Sequence, residues 1–272
     1  DLPGHQENLL RALYATGKPV VLVLSSGRPL AVSWADDHVP AIVCMWFSNE
    51  QGGEALADVL FGDVNPSGKL PITFPRTVGQ IPIAFPAKPG AQAADGGQAL
   101  GPLYPFGYGL SYTQFEYSSL EIKPNRDGFE ATCKISNVGD KSGTEIVQLY
   151  VRDDVSSVTT FDRTLLGFRR VSLAPGETKD VSFTIHSKDV ALYDSSDAWV
   201  AEPGVFTVWI SSSSVDDRLT GAYDCPPSRD ARSGIEECSA VRECNISQPS
   251  RDSVHPTVPR RGASEHSSKG DR

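Results

Sequence analysis

Carboxylates are the first residues in this sequence that could do chemistry. Glu50 and Glu54, in WFSNEQGGEALADVL, belong to the type that serves as general acid, base or nucleophile. Both also stand near the start of a predicted helix, where the positive end of the helix dipole favours a carboxylate, and we favour this structural interpretation. Asp36, Asp37 and His38 form a polar cluster without visible convergent partners, so we expect a solvated loop there.

Two further residues stand at the ends of predicted strands. Arg28 follows the apolar run KPVVLVL at 18–24, and Trp46 lies at the end of a second run, VPAIVCMWF at 39–47. Crevices for ligands in open α/β sheets gather at the carboxyl ends of the strands, which makes both residues candidates for a pocket rim. The competing interpretations are an ion pair for Arg28 and core packing for Trp46.

The elements that would position these residues follow the rhythm of a parallel α/β sheet. Both apolar runs lack alternation, which is typical of strands covered on both faces. A first helix is predicted from apolar residues that share one face: Leu9, Leu10, Leu13 and Tyr14. A second helix, over 52–62, is predicted to end at Gly62 and to turn three side chains inward: Ala55, Val59 and Leu60. The stretch is short for a complete α/β domain and reads as part of one.

The pattern changes after a Pro-, Gly- and Ala-rich stretch. Alternating runs separated by turn residues, with no helix between them, predict an antiparallel β-sandwich. These runs span 129–138, 144–153, 178–185 and 205–212. Within 144–153 one face should be buried and the other mixed, since Val147, Leu149 and Val151 alternate with Ile146, Gln148 and Tyr150.

Composition limits the classes of function. The 272 residues carry a net charge of −9, which argues against a nucleic-acid partner because such binding depends on clustered Lys and Arg. No apolar run approaches the length of a membrane-spanning helix, so we expect no membrane partner. The last segment, 224–272, has too few large apolar residues to form a core and is predicted to be disordered.

Three blocks of the sequence resemble one enzyme family. GKPVVLVLSSGRPL, GGEALADVLFGDVNPSGKLPITFPRTVGQIPI and LYPFGYGLSYTQFEYSSL together resemble the C-terminal half of glycoside hydrolase family 3, in particular periplasmic-type β-glucosidases. LGFRRVSLAPGETKDVSFTI and EPGVFTVWISSSS resemble the fibronectin type III-like domain that ends many of these enzymes. The resemblance covers about 1–223.

The resemblance implies a division into domains. We expect the C-terminal part of the family's α/β sandwich domain at 1–85, a linker at 86–103, an immunoglobulin-like, fibronectin type III-like sandwich at 104–223 and the disordered tail at 224–272. The glycines of NPSGKLP and YPFGYGLSY should permit tight turns. The aromatic residues of the second motif should pack the sandwich onto the α/β part.

The resemblance also implies a function. Family members are retaining glycosidases that need no metal or organic cofactor and use a nucleophilic Asp on a barrel domain with an acid/base Glu on the α/β sandwich. That Glu precedes the block similar to DLPG, so we expect both catalytic carboxylates upstream of Asp1, with none in this chain. Glu50 and Trp46 then remain as pocket-rim candidates, although Ser48 and Asn49 replace the family's usual Pro-Gly.

Several interpretations follow. The first is part of a β-glucosidase that acts on terminal non-reducing β-D-glucosyl residues, inactive alone, and the missing barrel domain is then a partner. A β-xylosidase-type member is a variant of this. The second is a non-catalytic module that binds carbohydrate or protein, and a third is a truncated reading frame. By resemblance to the family, a periplasmic or secreted location is expected.

Overall fold

The computed structural model of the chain describes residues 1–80, 83–89 and 101–227. The first part contains three helices and two strands: α1 Gln6–Ala15, β1 Val21–Leu24, α2 Ser33–His38, β2 Ala41–Cys44 and α3 Gly52–Phe61. Short 3-10 turns occur at Val78–Gln80 and Ser187–Asp189. The second part is all β: β3 Phe115–Asn125, β4 Gly128–Asn137, β5 Gly143–Asp153, β6 Thr164–Leu173, β7 Thr178–His186, β8 Leu192–Tyr193, β9 Trp199–Val200, β10 Gly204–Ser211 and β11 Asp217–Cys225.

The first part is a parallel α/β half-domain. β1 and β2 pair in parallel, with Leu24 opposite Cys44 at their carboxyl ends. α3 ends at Gly62 as predicted: this residue has φ +86°, and its N–H donates to the carbonyls of Asp58 and Val59. Helices α1 and α3 and strands β1 and β2 therefore occur in the predicted order, while helix α2 was not predicted.

Their burial differs from the prediction. β1 and β2 were expected to be covered on both faces, yet Val21 is 45% exposed. α3 has no buried residue, and Ala55 and Leu60, predicted to point inward, are exposed. The predictions were wrong because a two-stranded sheet with three short helices does not cover both of its faces.

Two further corrections concern local structure. Asp36, Asp37 and His38 lie in helix α2 and not in a loop, and their side chains are exposed. Leu103, assigned to the linker, is buried in the core of the α/β part. Its N–H donates to the carbonyl of Phe74, which joins the residues around 103 to the end of the α/β part.

The second part is a β-sandwich of the fibronectin type III-like kind. One sheet has the order β11-β10-β5-β6, the other β3-β4-β7, and all neighbouring strands are antiparallel. Phe129, Val147, Phe183 and Val208 are among the buried residues between the two sheets. An α/β half-domain followed by an all-β sandwich is the fold class that the sequence predicts.

β5 is buried on both faces. Val147, Leu149 and Val151 point into the sandwich core as predicted. The opposite face was expected to be mixed, but Gln148 and Tyr150 are fully buried there. The segment after Leu103 packs on this face and covers it.

The end of the sandwich also departs from the sequence prediction. β11 continues to Cys225, which pairs with Gly204 of β10. The predicted tail, 224–272, therefore includes the last two residues of strand β11. Residues 228–272 of that tail lie outside the described residues. No helix within the described ranges is long and apolar enough to cross a bilayer.

Candidate functional site

The carboxyl ends of β1 and β2 form the sheet edge at which a pocket rim is predicted from the sequence. The N–H of Met45 donates to the carbonyl of Leu24 over 3.0 Å, which continues the strand pairing by one residue. Ser25 Oγ donates to the carbonyl of Trp46 over 3.1 Å. The two loops that leave the strands are therefore held side by side, and Arg28 and Trp46 are carried by neighbouring loops.

Trp46 lies in the core at this edge. Its ring packs on Phe74 with ring centroids 5.9 Å apart, and it joins the partly buried residues around the α/β core. Its φ is +53°, which is unusual for a bulky residue and costs about 1–3 kcal/mol of strain. The observed packing matches the core interpretation of Trp46, while its backbone conformation turns the chain sharply as it leaves β2.

Phe47 and Gly27 connect the two loops on the solvent side. Phe47 is 76% exposed. A Cβ on Gly27 would lie 2.6 Å from the Phe47 ring, so only glycine allows the loop after β1 to approach the ring this closely. Arg28, next in the chain, is exposed. The edge therefore presents an aromatic and a guanidinium group to solvent.

Glu50 and Glu54 lie at the start of α3. Glu54 stands in the first turn, as expected for a carboxylate that interacts with the helix dipole. Glu50 precedes the helix, two residues before Gly52, and is exposed. The loop that replaces the family's Pro-Gly still forms a turn, because the N–H of Gly52 donates to the carbonyl of Asn49. The geometry leaves Glu50 free to meet a molecule outside the fold.

Asp36 has a structural partner that the sequence did not indicate. The hydroxyl of Tyr104 donates to Asp36 Oδ1 over 2.7 Å, and the ring of Tyr104 stacks on Tyr108 with centroids 5.4 Å apart. Burial raises the pKa of Tyr104, and the hydrogen bond to Asp36 raises that pKa further. The pair holds the segment after Leu103 against helix α2.

The same segment contacts the sandwich, as predicted for its aromatic residues. Phe106 stacks on Phe85 with centroids 4.5 Å apart, and Phe85 meets the Tyr150 ring edge-on at 5.7 Å. Gln148 donates from Nε2 to the carbonyl of Gly107 over 3.1 Å. A Cβ on Gly107 would lie 2.2 Å from the Gln148 side chain, which explains a glycine at this position. These contacts cover the second face of β5.

A buried ion pair joins the two parts of the molecule. Lys69 of NPSGKLP lies 3.1 Å from Glu145 of β5, and the side chains are only 13% and 6% exposed. The hydroxyl of Tyr117 donates to the same carboxylate over 3.0 Å, and burial raises the pKa of Tyr117. Asn65 of the same motif donates to the carbonyl of Ser142. Sequence patterns gave no signal for this pair, since Lys69 and Glu145 are far apart in the chain.

The remaining features of the described residues do not add a catalytic centre at this edge. No group of three His, Cys, Asp or Glu side chains in the described part of the chain is arranged to hold a metal ion. A cavity of about 730 Å³ lies elsewhere, on the sandwich between the end of β5, the start of β6 and the β8–β9 hairpin. The rim candidates and the cavity thus belong to different parts of the molecule.

Family comparison accounts for both parts. Residues 1–112 match the model of the glycosyl hydrolase family 3 C-terminal domain, and residues 145–214 match the fibronectin type III-like domain. Residues 1–112 therefore form a glycosyl hydrolase family 3 C-terminal domain. The resemblance stated from the sequence blocks is confirmed.

The chain is also similar to individual glycosidases of known name. The chain is 44% identical to a periplasmic beta-glucosidase of Salmonella typhimurium, with 77% of the chain and 29% of the relative covered. It is 41% identical to a beta-xylosidase of Formosa agariphila, with 80% and 31% covered. The chain therefore spans about a third of the length of these relatives.

Solved structures give the same result. A beta-glucosidase from Listeria innocua in complex with glucose is similar to the chain with a TM-score of 0.77 and 33% identity, over 83% of this chain and 33% of that one. A mutant of the same Listeria protein was solved in complex with laminaribiose. The fold described here is thus similar to about a third of that beta-glucosidase structure.

Proposed function

We propose that this chain is the C-terminal part of a retaining β-glycosidase that removes terminal non-reducing β-D-glucosyl residues, without metal or organic cofactor. The observation that carries the proposal is the family match over residues 1–112, the part that contains the sheet edge with Trp46 and Glu50. Relatives named beta-glucosidases, one of them in complex with glucose, support a glucoside as substrate.

We further propose that neither catalytic carboxylate lies in this chain. Retaining glycosidases place two carboxyl groups about 5 Å apart across the scissile bond. At the sheet edge, Glu50 and Glu54 stand at the start of one helix, where Glu54 has the position of a dipole partner. We therefore assign to Trp46 and Glu50 at most a role at the rim of the sugar site.

The uncovered face of the α/β part supports a partner that carries the missing chemistry. Exposed apolar side chains lie on helices α1 and α3: Leu9, Leu13, Tyr14, Leu60 and Phe61. Phe61 is 85% exposed, and an apolar face of this kind marks an interaction surface. We propose that the rest of the enzyme, including its barrel domain, packs there. We propose domain boundaries near 1–85 and 104–223, with the two cores joined by the contacts of Lys69 with Glu145 and of Tyr104 with Asp36.

A hybrid enzyme tests this function. Residues 1–225 would replace the matching C-terminal part of the Salmonella typhimurium beta-glucosidase. We expect the 272-residue chain alone to release no chromophore from an aryl β-glucoside above the buffer rate, and the hybrid to do so. A hybrid that folds but is inactive, or turnover by the repurified chain alone, would overturn the proposal.

Rim variants in the hybrid sharpen the test. A lost hydrogen bond from substrate to a charged group costs about 1.5–3 kcal/mol, so Glu50→Gln should lower kcat/KM by about 10-fold or more. Glu54→Gln, one helical turn away, is the matched control and should leave kcat/KM within about 2-fold. Equal effects of the two substitutions would remove Glu50 from the substrate site.

A second candidate substrate is a β-xyloside, because one relative at 41% identity is named a beta-xylosidase. The ratio of kcat/KM for aryl β-xyloside and aryl β-glucoside in the intact enzyme decides between the two. We also propose an exported protein, since the Salmonella relative is named periplasmic. Cell fractionation with an antibody to the sandwich would check the location.

A further inference from the structure

The cavity on the sandwich has walls held by hydrogen bonds. The N–H of Ser157 donates to Glu202 Oε2 over 2.8 Å, which joins the loop after β5 to the chain after β9. The N–H of Asp162 donates to the carbonyl of Ala87 over 2.9 Å. On the opposite side, Asp194 closes the β8–β9 hairpin by accepting from the N–H groups of Ser196 and Ala198. The cavity of about 730 Å³ is therefore formed before any ligand arrives.

Aromatic rings line this cavity at its mouth. Trp199 and Tyr193 are directly opposite each other in the β8–β9 hairpin, and their rings meet edge-on with centroids 5.5 Å apart. Trp199 is 72% exposed, Tyr193 50% and Phe161 41%. Leu192, their neighbour, is buried instead. A hairpin that buries its leucine and exposes its tryptophan presents aromatic surface to a ligand.

An unpaired carboxylate oxygen lies in the same wall. Asp153, the last residue of β5, accepts at Oδ1 from the N–H of Val155 over 3.3 Å, while its Oδ2 is buried without a hydrogen-bond partner. Burial raises the pKa of Asp153, as expected for a carboxylate that lacks donors. Asp153 is also one of the residues that line the cavity. A buried polar atom of this kind indicates a missing donor.

We propose that this cavity is a non-catalytic saccharide-binding site, in which Trp199 and Tyr193 contact the apolar face of a pyranose ring and Asp153 accepts a hydrogen bond from a sugar hydroxyl. Neutral sugars combine apolar C–H faces with hydroxyl donors, the two properties that this wall complements. The choice of a β-linked gluco-oligosaccharide rests on the proposed function. Such a site would hold a glucan chain on the sandwich, away from the sheet edge.

Binding to the full 272-residue chain tests the proposal without any turnover. The probe is laminarihexaose, titrated up to about 20 mM against ¹⁵N-labelled chain, with maltohexaose as the linkage control. The four tryptophans give separate indole N–H signals, and the signal lost in Trp199→Ala belongs to Trp199. We expect the Trp199 signal to shift on titration and the signals of Trp34, Trp46 and Trp209 to stay unchanged.

Variants locate the site. Trp199→Ala should weaken binding by about 2- to 10-fold, the scale of an aromatic contact, and Asp153→Ala by about 10-fold or more, the scale of a hydrogen bond to a charged group. Phe168→Ala removes an aromatic ring that is 62% exposed on the same sandwich outside the cavity, and should leave affinity unchanged.

Several results would overturn the proposal. The first is an unchanged Trp199 signal at the highest laminarihexaose concentration, and the second is a shift of the Trp46 signal alone. The third is equal affinity of the wild type and Trp199→Ala for laminarihexaose. A dimer that becomes monomeric in Trp199→Ala and does not bind sugar would make the aromatic pair an interface between copies. An inactive hybrid enzyme, by contrast, would leave a positive titration intact and remove only the glycosidase proposal.

Discussion

The two parts of the molecule differ in how completely they are packed. Eighteen hydrophobic residues are buried in the sandwich core, but only eight in the core of the α/β part, within the described residues. The sandwich closes its core with two sheets. The α/β part has one two-stranded sheet and leaves several apolar side chains of α1 and α3 exposed, among them Leu9, Leu13 and Phe61. The difference supports the proposal that a partner packs on the α/β part.

Core truncation should give the largest difference between the parts. Phe183 is 1% exposed in the sandwich core, so Phe183→Ala should lower the free energy of unfolding by about 3–5 kcal/mol. The matched Phe61→Ala, at a side chain that is 85% exposed on α3, should cost less than about 0.5 kcal/mol. Urea unfolding followed by circular dichroism measures both values. Similar losses in the two variants would contradict the contrast in packing.

The buried ion pair between the parts should give the next largest effect. Lys69→Met leaves Glu145 with the Tyr117 hydroxyl as its remaining side-chain donor, and loss of one partner from a buried pair costs about 3 kcal/mol.

The matched control for the ion pair is Lys179→Met. It breaks the pair of Lys179 with Glu177, whose side chains are 46% and 38% exposed, and should cost at most about 0.5 kcal/mol. Urea midpoints distinguish these values. A Lys69→Met variant as stable as the control would show that the pair does not join the two parts.

The hydrogen bond between Tyr104 and Asp36 should give the smallest effect. Tyr104→Phe keeps the stack on Tyr108 and removes only the hydroxyl, so the expected loss is about 1 kcal/mol. Tyr193→Phe, at a residue half exposed in the β8–β9 hairpin, should change stability by about 0–0.3 kcal/mol. Thermal unfolding of both variants compares them. If Tyr193→Phe and Tyr104→Phe lower stability equally, the hydrogen bond from Tyr104 to Asp36 does not hold the segment in place.

The order of elements could be predicted from the sequence because apolar runs and turn residues are local signals. The runs at 18–24 and 39–47 contain β1 and β2, and Gly62 ends α3 as predicted. β3 was missed because its alternation breaks at a bulge around Ser119, which has φ +56°. β6 carries Gly167 and two consecutive arginines, which hide its strand pattern.

Burial and pairing could not be predicted to the same extent. A run such as VLVL shows that a strand can be covered on both faces, not that the covering elements are present. Lys69 with Glu145 and Tyr104 with Asp36 are pairs of residues that are far apart in the chain, so no local pattern marks either contact. The sequence located the rim candidates Trp46 and Glu50, and the structure added that the first packs on Phe74 while the second faces solvent.

Amide hydrogen exchange tests the central claim most directly. It would be measured by mass spectrometry on the 272-residue chain alone and on the hybrid with the Salmonella upstream part. We expect weak protection of α1 and α3 in the chain alone, at least about 10-fold stronger protection in the hybrid, and no change in β4 or β5. Protection of α1 and α3 that is equal in both proteins would contradict a partner surface on the α/β part.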